Sequence, residues 1–217
     1  MAQLSTSAGQ LAMAARTRVG LHWRRIARVH ATRALARIPS GARIHMGCGE
    51  IKLEGWINLD LGRRTEADLR VDLRGGLPLR PQSVTRIYSE HVLEHLCVED
   101  GQTLLTDCFN ALEPDGVMRI AMPDLKRLVD AYLGNWRDQE WLDNPGYKHI
   151  DSASRMLNAG FRYWGHRYLY DQEDLSLRLS TAGFSQIRSC DWGESDVPDL
   201  CKLERRPDSL LIVEAYR

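Results

Sequence analysis

The chain contains no apolar run approaching the roughly 18 residues that a membrane-spanning helix requires. Its five cysteines (Cys48, Cys97, Cys108, Cys190 and Cys201) are scattered, odd in number, and include no C-x-x-C pair. That pattern argues against a disulfide framework and a structural zinc site, and it points to a reducing, cytoplasmic setting. Net charge is also missing: 29 Lys and Arg stand against 29 Asp and Glu, so bulk charge gives no ground for nucleic-acid binding. There is no internal repeat and no low-complexity tract. One absence is local. Residues 1–40 hold seven arginines and no acid; taking those seven from 29 leaves 22 bases against 29 acids in the rest.

That basic head reads as a helical extension over residues 1–40. Val19, Trp23, Ile26 and His30 share a helical face, and Arg18, Arg24, Arg25 and Arg28 lie away from it. Three readings stand side by side. The helix packs on the domain with its arginines in water, or it rests on an anionic membrane or a protein partner, or it is a transit peptide. No apolar h-region with an A-x-A-like site accompanies it, which argues against secretion. Residues 41–217 are long enough to bury one core as a single domain.

Within that domain short apolar runs alternate with helical spacing. Strands are expected at Ile44–Met46, Trp56–Leu59, Asp68–Asp72, Val84–Glu90, Val117–Met122, Ser185–Trp192 and Ser209–Tyr216. Helices are expected at Glu99–Leu112, at Leu125–Leu133 with Leu125, Leu128, Val129 and Leu133 inward, and at Asp171–Ala182 with Gly183 as its cap. The alternation predicts an α/β fold, a doubly wound and mostly parallel seven-stranded sheet. The short link Gly193–Pro207 suits an antiparallel final strand better than a crossover. Residues 134–165 are rich in Trp, Tyr, Asn and Gly and read as an irregular insert or lid on the acceptor side.

The chain is organised around Arg43–Asp60, RIHMGCGEIKLEGWINLD. One strand stops at Gly47-Cys48-Gly49, and the next stops at Asp60. Glycine permits a sharp turn and close approach by a ligand. A carboxylate at the neighbouring strand end can accept from ribose hydroxyls. Together they suggest a nucleoside-bearing cofactor. A dinucleotide fingerprint needs a third glycine, and that place falls on Lys52, so a pyrophosphate cradle and a dehydrogenase are disfavoured.

Four segments follow in order: HMGCGE (45–50), NLD (58–60), VDLRGGLPL (71–79) and YSEHVLEHL (88–96). With LEPDGVMRIAMPDL (112–125), WGHRYLYDQEDL (164–175) and AGF (182–184), this set resembles the class I methyltransferases that use S-adenosylmethionine. It is most similar to small bacterial members linked to polysaccharide and surface-glycan synthesis. The resemblance spans roughly residues 42–191 and leaves the basic head outside it. It implies a Rossmann-like fold and methyl transfer to an oxygen or nitrogen of a small-molecule or glycan acceptor. By position it implies that Gly47, Cys48 and Gly49 line the methionine part of the cofactor, with no role of its own for Cys48. Asp60, with Leu61, would hold the ribose; Asp72 and Leu73 would frame the adenine; Ser89, Glu90 and His91 would face the sulfonium. A non-catalytic cofactor-binding accessory protein is the alternative.

His91-Val92-Leu93-Glu94-His95 also matches H-x-x-E-H, which on a helix would offer two imidazoles to zinc. The favoured reading is structural, with the segment pinning the loop after the fourth strand and no metal required. A general base is needed only where the acceptor must lose a proton. His91, His149 and His166 are the candidates, because imidazole titrates near neutrality; Asp124 and Tyr163 are further acceptor-side possibilities. Trp136, Trp141, Tyr147, Phe161, Tyr163 and Trp164 crowd the insert, where aromatic faces suit either a stacked acceptor or a closing lid.

Overall fold

The computed structural model describes residues 31–217. The amphipathic face through Val19 and His30 therefore lies outside the described residues, apart from the head's last ten. Of these, residues 31–35 are helical, and Leu35 and Ile38 are buried in the main core.

Seven strands form one sheet: β1 (Ala42–Met46), β2 (Ile57–Asp60), β3 (Leu69–Arg70), β4 (Val84–Glu90), β5 (Leu112–Met122), β6 (Gln186–Ser189) and β7 (Leu211–Tyr216). Their order is β3-β2-β1-β4-β5-β7-β6. The pairs from β3 through β5 are parallel, whereas β7 runs antiparallel to both β5 and β6. The fold is thus Rossmann-like and doubly wound, with the reversed final strand expected from the short 193–207 link. That link holds a single 3-10 turn, Pro198–Leu200, too little chain for a helical crossover. The order reverses between β1 and β4, which places the switch point at their carboxyl ends.

Helices α1 (Val98–Ala111), α2 (Leu125–Leu133), α3 (Ala153–Arg162) and α4 (Gln172–Ala182) lie between these strands among the described residues. Helix α1 buries Leu104, Leu105 and Cys108, and α4 buries Leu175, Leu179 and Ala182, as their spacing predicts. Full burial of each leucine contributes about 1.5–3 kcal/mol. Asp171 caps α4 by accepting from the Asp174 amide, and Gly183 at φ +118° ends it. A Cβ on Gly183 would sit 2.7 Å from the Phe109 ring, so glycine is required there for space as well as for φ.

Two expectations change. In α2 only Leu128 is buried; Val129 is 38% and Leu133 77% exposed. The helix meets the small-residue face of α3 instead of a broad apolar surface, and Leu128 lies against Gly160, where a Cβ would come within 2.8 Å of it. The 134–165 insert is more ordered than its composition suggests. Short 3-10 turns at Trp136–Asp138, Glu140–Asp143 and Pro145–Tyr147 lead into α3, which is capped by Ser152. Leu128, Ile150, Met156, Ala159 and Leu169 give this region a small core of its own.

A buried ion network lies across β5 and β7. Arg119 is fully enclosed; its Nε donates to Glu204 at 2.5 Å and its Nη1 to Glu214 at 2.7 Å, and Arg119 and Glu214 are register partners in the sheet. Its remaining donors reach the carbonyls of Asp191 and Glu194. Burying three charges is costly unless each is paired, and here the pairing is complete on the arginine side.

Candidate active site

The strand tips of β1 and β2 meet directly. The amides of Gly47 and Cys48 both donate to the Leu59 carbonyl, at 2.8 and 3.1 Å. Gly49 donates to Asp60 Oδ2 at 2.9 Å, and Gly62 to Asp60 Oδ1 at 2.6 Å. The glycine turn and the acid thus form one unit. The two glycines serve different ends. Gly47, at φ +68°, is packed so closely that a Cβ would lie 2.2 Å from Val92 Cγ2. Gly49, at φ +53°, faces open space, with nothing within 4 Å of a notional Cβ. Close packing behind and free space in front is the arrangement a ligand-approach turn needs.

Beneath this turn, Asn58 fastens the strands. Its Oδ1 lies 3.0 Å from His45 Nδ1 and accepts from the Leu53 amide; its Nδ2 donates to the carbonyls of Leu53 and Trp56 and to Asp68. Cys48 is buried, and its thiol is pushed up to about 11, first by burial and then by Asp60, so it is no nucleophile. Leu61 projects, 47% exposed, beside Asp60, while Leu73 is buried. Asp72 accepts from the Arg74 amide and takes both ends of the Arg74 guanidinium, at 2.7 and 2.6 Å.

At the end of β4, Ser89 is buried and Glu90 turns away toward the 204–209 loop. The Glu90 Oε1 accepts from the amides of Arg205 and Arg206 and from the Ser209 hydroxyl, while Oε2 shares only the Arg205 amide at 3.2 Å. His91 sits at φ +53°, its amide bonded to the Ala121 carbonyl. A non-glycine residue in that region marks a constrained position.

The segment after His91 is a single 3-10 turn, Leu93–His95, not a longer helix. Glu94 is fully buried, and both its oxygens lack a hydrogen-bond partner. His91 Nδ1 lies 3.3 Å from Glu94 Oε1, and His91 Nε2 lies 3.5 Å from Asp208 Oδ1. Burial is the first cause that pushes the Glu94 carboxyl up to about 8 and the His91 imidazole down to about 3. Burial thus disfavours the charged form of both partners, which weakens the contact as an ion pair. His95 and His166 are lowered too, burial first.

His166 is far along the chain, yet the fold brings it here. The amides of Arg167 and Tyr168 donate to the Glu94 carbonyl at 2.8 and 3.2 Å, and the His95 and His166 rings stand 5.2 Å apart. His166 also lines a cavity of about 950 Å³ between α2, the insert and the 207–210 loop. Asp124, the cap of α2, lines the same space with Trp141 and Trp164. His149 is elsewhere: its ring bonds the Tyr163 hydroxyl at 3.0 Å on the exposed side of the insert. The aromatic residues mostly pack on one another. Trp141, Tyr147 and Trp164 meet edge to face, and Trp164 Nε1 donates to the Tyr147 hydroxyl at 2.8 Å.

In the sequence Glu94 and His95 stand in one motif and His166 in another. Their convergence was not legible, because it depends on two backbone bonds between distant segments. The Glu90 pairing with the 205–209 loop was invisible for the same reason.

No protein-family model matches the chain, and no curated protein does. Solved structures with a similar outline include an S-adenosylmethionine-dependent methyltransferase from Mesorhizobium loti, 19% identical, covering 88% of this chain and 98% of that one, with a TM-score of 0.48. Another, from Archaeoglobus fulgidus, is 15% identical over 89% of this chain and 94% of that one, with a TM-score of 0.48. A third, from Thermotoga maritima, is 13% identical over 88% of each chain, with a TM-score of 0.46.

Proposed function

We propose that the chain is an S-adenosylmethionine-dependent methyltransferase acting on an oxygen or nitrogen of a small molecule or glycan. The observation that carries this is the joined tip of β1 and β2: a glycine turn, open in front, hydrogen-bonded to the Asp60 carboxylate beside the switch point of the sheet. The open face of Gly49 leaves room for a ligand, and Asp60 supplies the negative group that a ribose diol requires. The lack of a third glycine agrees with a cofactor that carries no pyrophosphate.

When bound, the cofactor supplies a methyl group on a positively charged sulfur. The protein's part is placement. Gly47, Cys48 and Gly49 would form the floor, Asp60 with Leu61 the ribose end, Leu73 and Asp72 the adenine end, and Ser89 and His91 the wall toward the acceptor. Asp72 would first have to share or release Arg74. Glu90 would act indirectly, by holding the 205–209 loop at the rim. Alignment of donor and acceptor with exclusion of water is worth about 7–11 kcal/mol in well-oriented reactions.

The acceptor would enter the cavity that His166 lines. Asp124, Asp130, Asp138, Glu140 and Asp143 outnumber Arg127 around it, which favours an acceptor bearing amines or many hydroxyls over an anionic one. Among the candidate bases, His166 borders this space, His91 is buried beside it, and His149 is outside it. The test is turnover. The protein, S-adenosylmethionine and a panel of amino sugars, neutral sugars and small amines are incubated, and S-adenosylhomocysteine is measured by mass spectrometry. Acceptor-dependent product supports the reading. Cofactor binding with no product across the panel favours the accessory-protein alternative.

A further inference from the structure

Glu94, His95 and His166 stand apart from the strand tips and have a different character. One carboxylate oxygen and one nitrogen from each ring lie within 4.8 Å of one another. The Glu94 carboxylate is fully enclosed, and neither oxygen has a hydrogen-bond partner, an arrangement that native cores avoid unless something fills the role. His95 Nε2 lies 3.9 Å from Glu94 Oε1. His166 Nδ1 is 2.7 Å from the Gly160 carbonyl; donating its proton there leaves Nε2 with a free lone pair. A ring held through one nitrogen by a backbone carbonyl, with the other nitrogen free, is how metal-binding histidines are oriented.

We propose that Glu94, His95 and His166 bind one divalent first-row metal ion of the zinc type. Two imidazoles and a carboxylate suit such an ion, and three protein ligands leave a position open. That position would face the cavity, because His166 lines it and Asp208 stands at its edge. His91, in contact with both Glu94 and Asp208, is an outer support and not a ligand. The H-x-x-E-H motif is therefore used only in part: Glu94 and His95 join with His166 from the later segment. An oxygen or nitrogen of a molecule in the cavity could occupy the open position, where the ion would orient it and polarise it. The site needs only these residues and does not depend on the cofactor reading.

The test uses cobalt(II) as a spectroscopic probe on the full chain, stripped of metal with a chelator. Titration should give one equivalent of bound cobalt with visible ligand-field bands, displaced by zinc. His166→Ala and Glu94→Gln should each abolish the bands. Affinity should fall by more than the roughly 10–100-fold that loss of an outer-shell partner alone produces. Glu94→Gln is nearly isosteric, so it decides the matter if His166→Ala fails to fold. No cobalt binding by the folded wild type, or binding unchanged in folded Glu94→Gln, overturns the proposal.

Discussion

The amide of Gly49 donates to Asp60 Oδ2 at 2.9 Å, tying the tip of β1 to the tip of β2. One residue earlier than Gly49 the backbone is anchored to Leu59, and one strand away Gly62 closes the other carboxylate oxygen. The acid is thus fixed in place before any ligand arrives, while its neighbour Gly49 keeps an open face. Preorganisation of this kind lowers the ordering cost of binding.

Gly47 is the stiff half of the turn. Gly47→Ala adds a Cβ 2.2 Å from Val92 Cγ2 at a backbone φ of +68°. Overpacking and left-handed strain each cost about 1–3 kcal/mol. The expected loss of stability is about 2–6 kcal/mol, read as a lower urea midpoint at unchanged slope.

Arg119 holds two buried glutamates. Arg119→Met leaves Glu204 and Glu214 enclosed with no counter-charge. Removing one partner from such a network costs about 3–5 kcal/mol. Replacing all three together with apolar residues should recover much of that loss, which chemical denaturation of the single and triple variants would reveal.

Leu35 carries the basic head into the fold. It is wholly buried in the main core, with Ile38 beside it. Leu35→Ala should destabilise by about 2–5 kcal/mol. Deleting residues 1–39 should expose the core and lower solubility, an outcome checked by sedimentation of the expressed protein.

Asp68 gives the protein a component of acid sensitivity. Its carboxyl is held down to about 2, chiefly by the hydrogen bond from Lys52 and then by those from the Asn58 backbone and side chain. An unfolded aspartate titrates near about 3.9. Its folded value is depressed, so its stabilisation is present above about pH 4 and is lost as pH falls toward about 2. About a third of the side chain meets solvent, so screening keeps the effect to about 1 kcal/mol or less. The stability gap between wild type and Asp68→Asn should shrink as pH is lowered through that window.

Much of this architecture was legible in the residues. Val84–Glu90 and Leu125–Leu133 have the bounds that their apolar patterns indicate, and Gly183 caps α4 as expected, while Asp171 is its N-cap and not its first helical residue. The short 193–207 link foretold the reversed strand. What escaped was long-range or masked. Helix α3 was hidden because Phe161, Tyr163 and Trp164 follow its small residues and blur the period. The exposure of Leu133 depends on how little of α3 faces it. Glu90 and Glu94 stand four residues apart in one segment, yet one is hydrogen-bonded by a loop over a hundred residues away and the other has no hydrogen-bond partner. No spacing rule separates two such neighbours.

The most direct test of the central claim is calorimetric titration of S-adenosylmethionine into the folded chain and into Asp60→Ala. Wild type should bind one equivalent, and the variant should bind more weakly by about 1–3 kcal/mol, the scale of hydrogen bonds to a charged group. No heat with the wild type, or equal affinity in the two proteins, would contradict the site assigned to the joined strand tips.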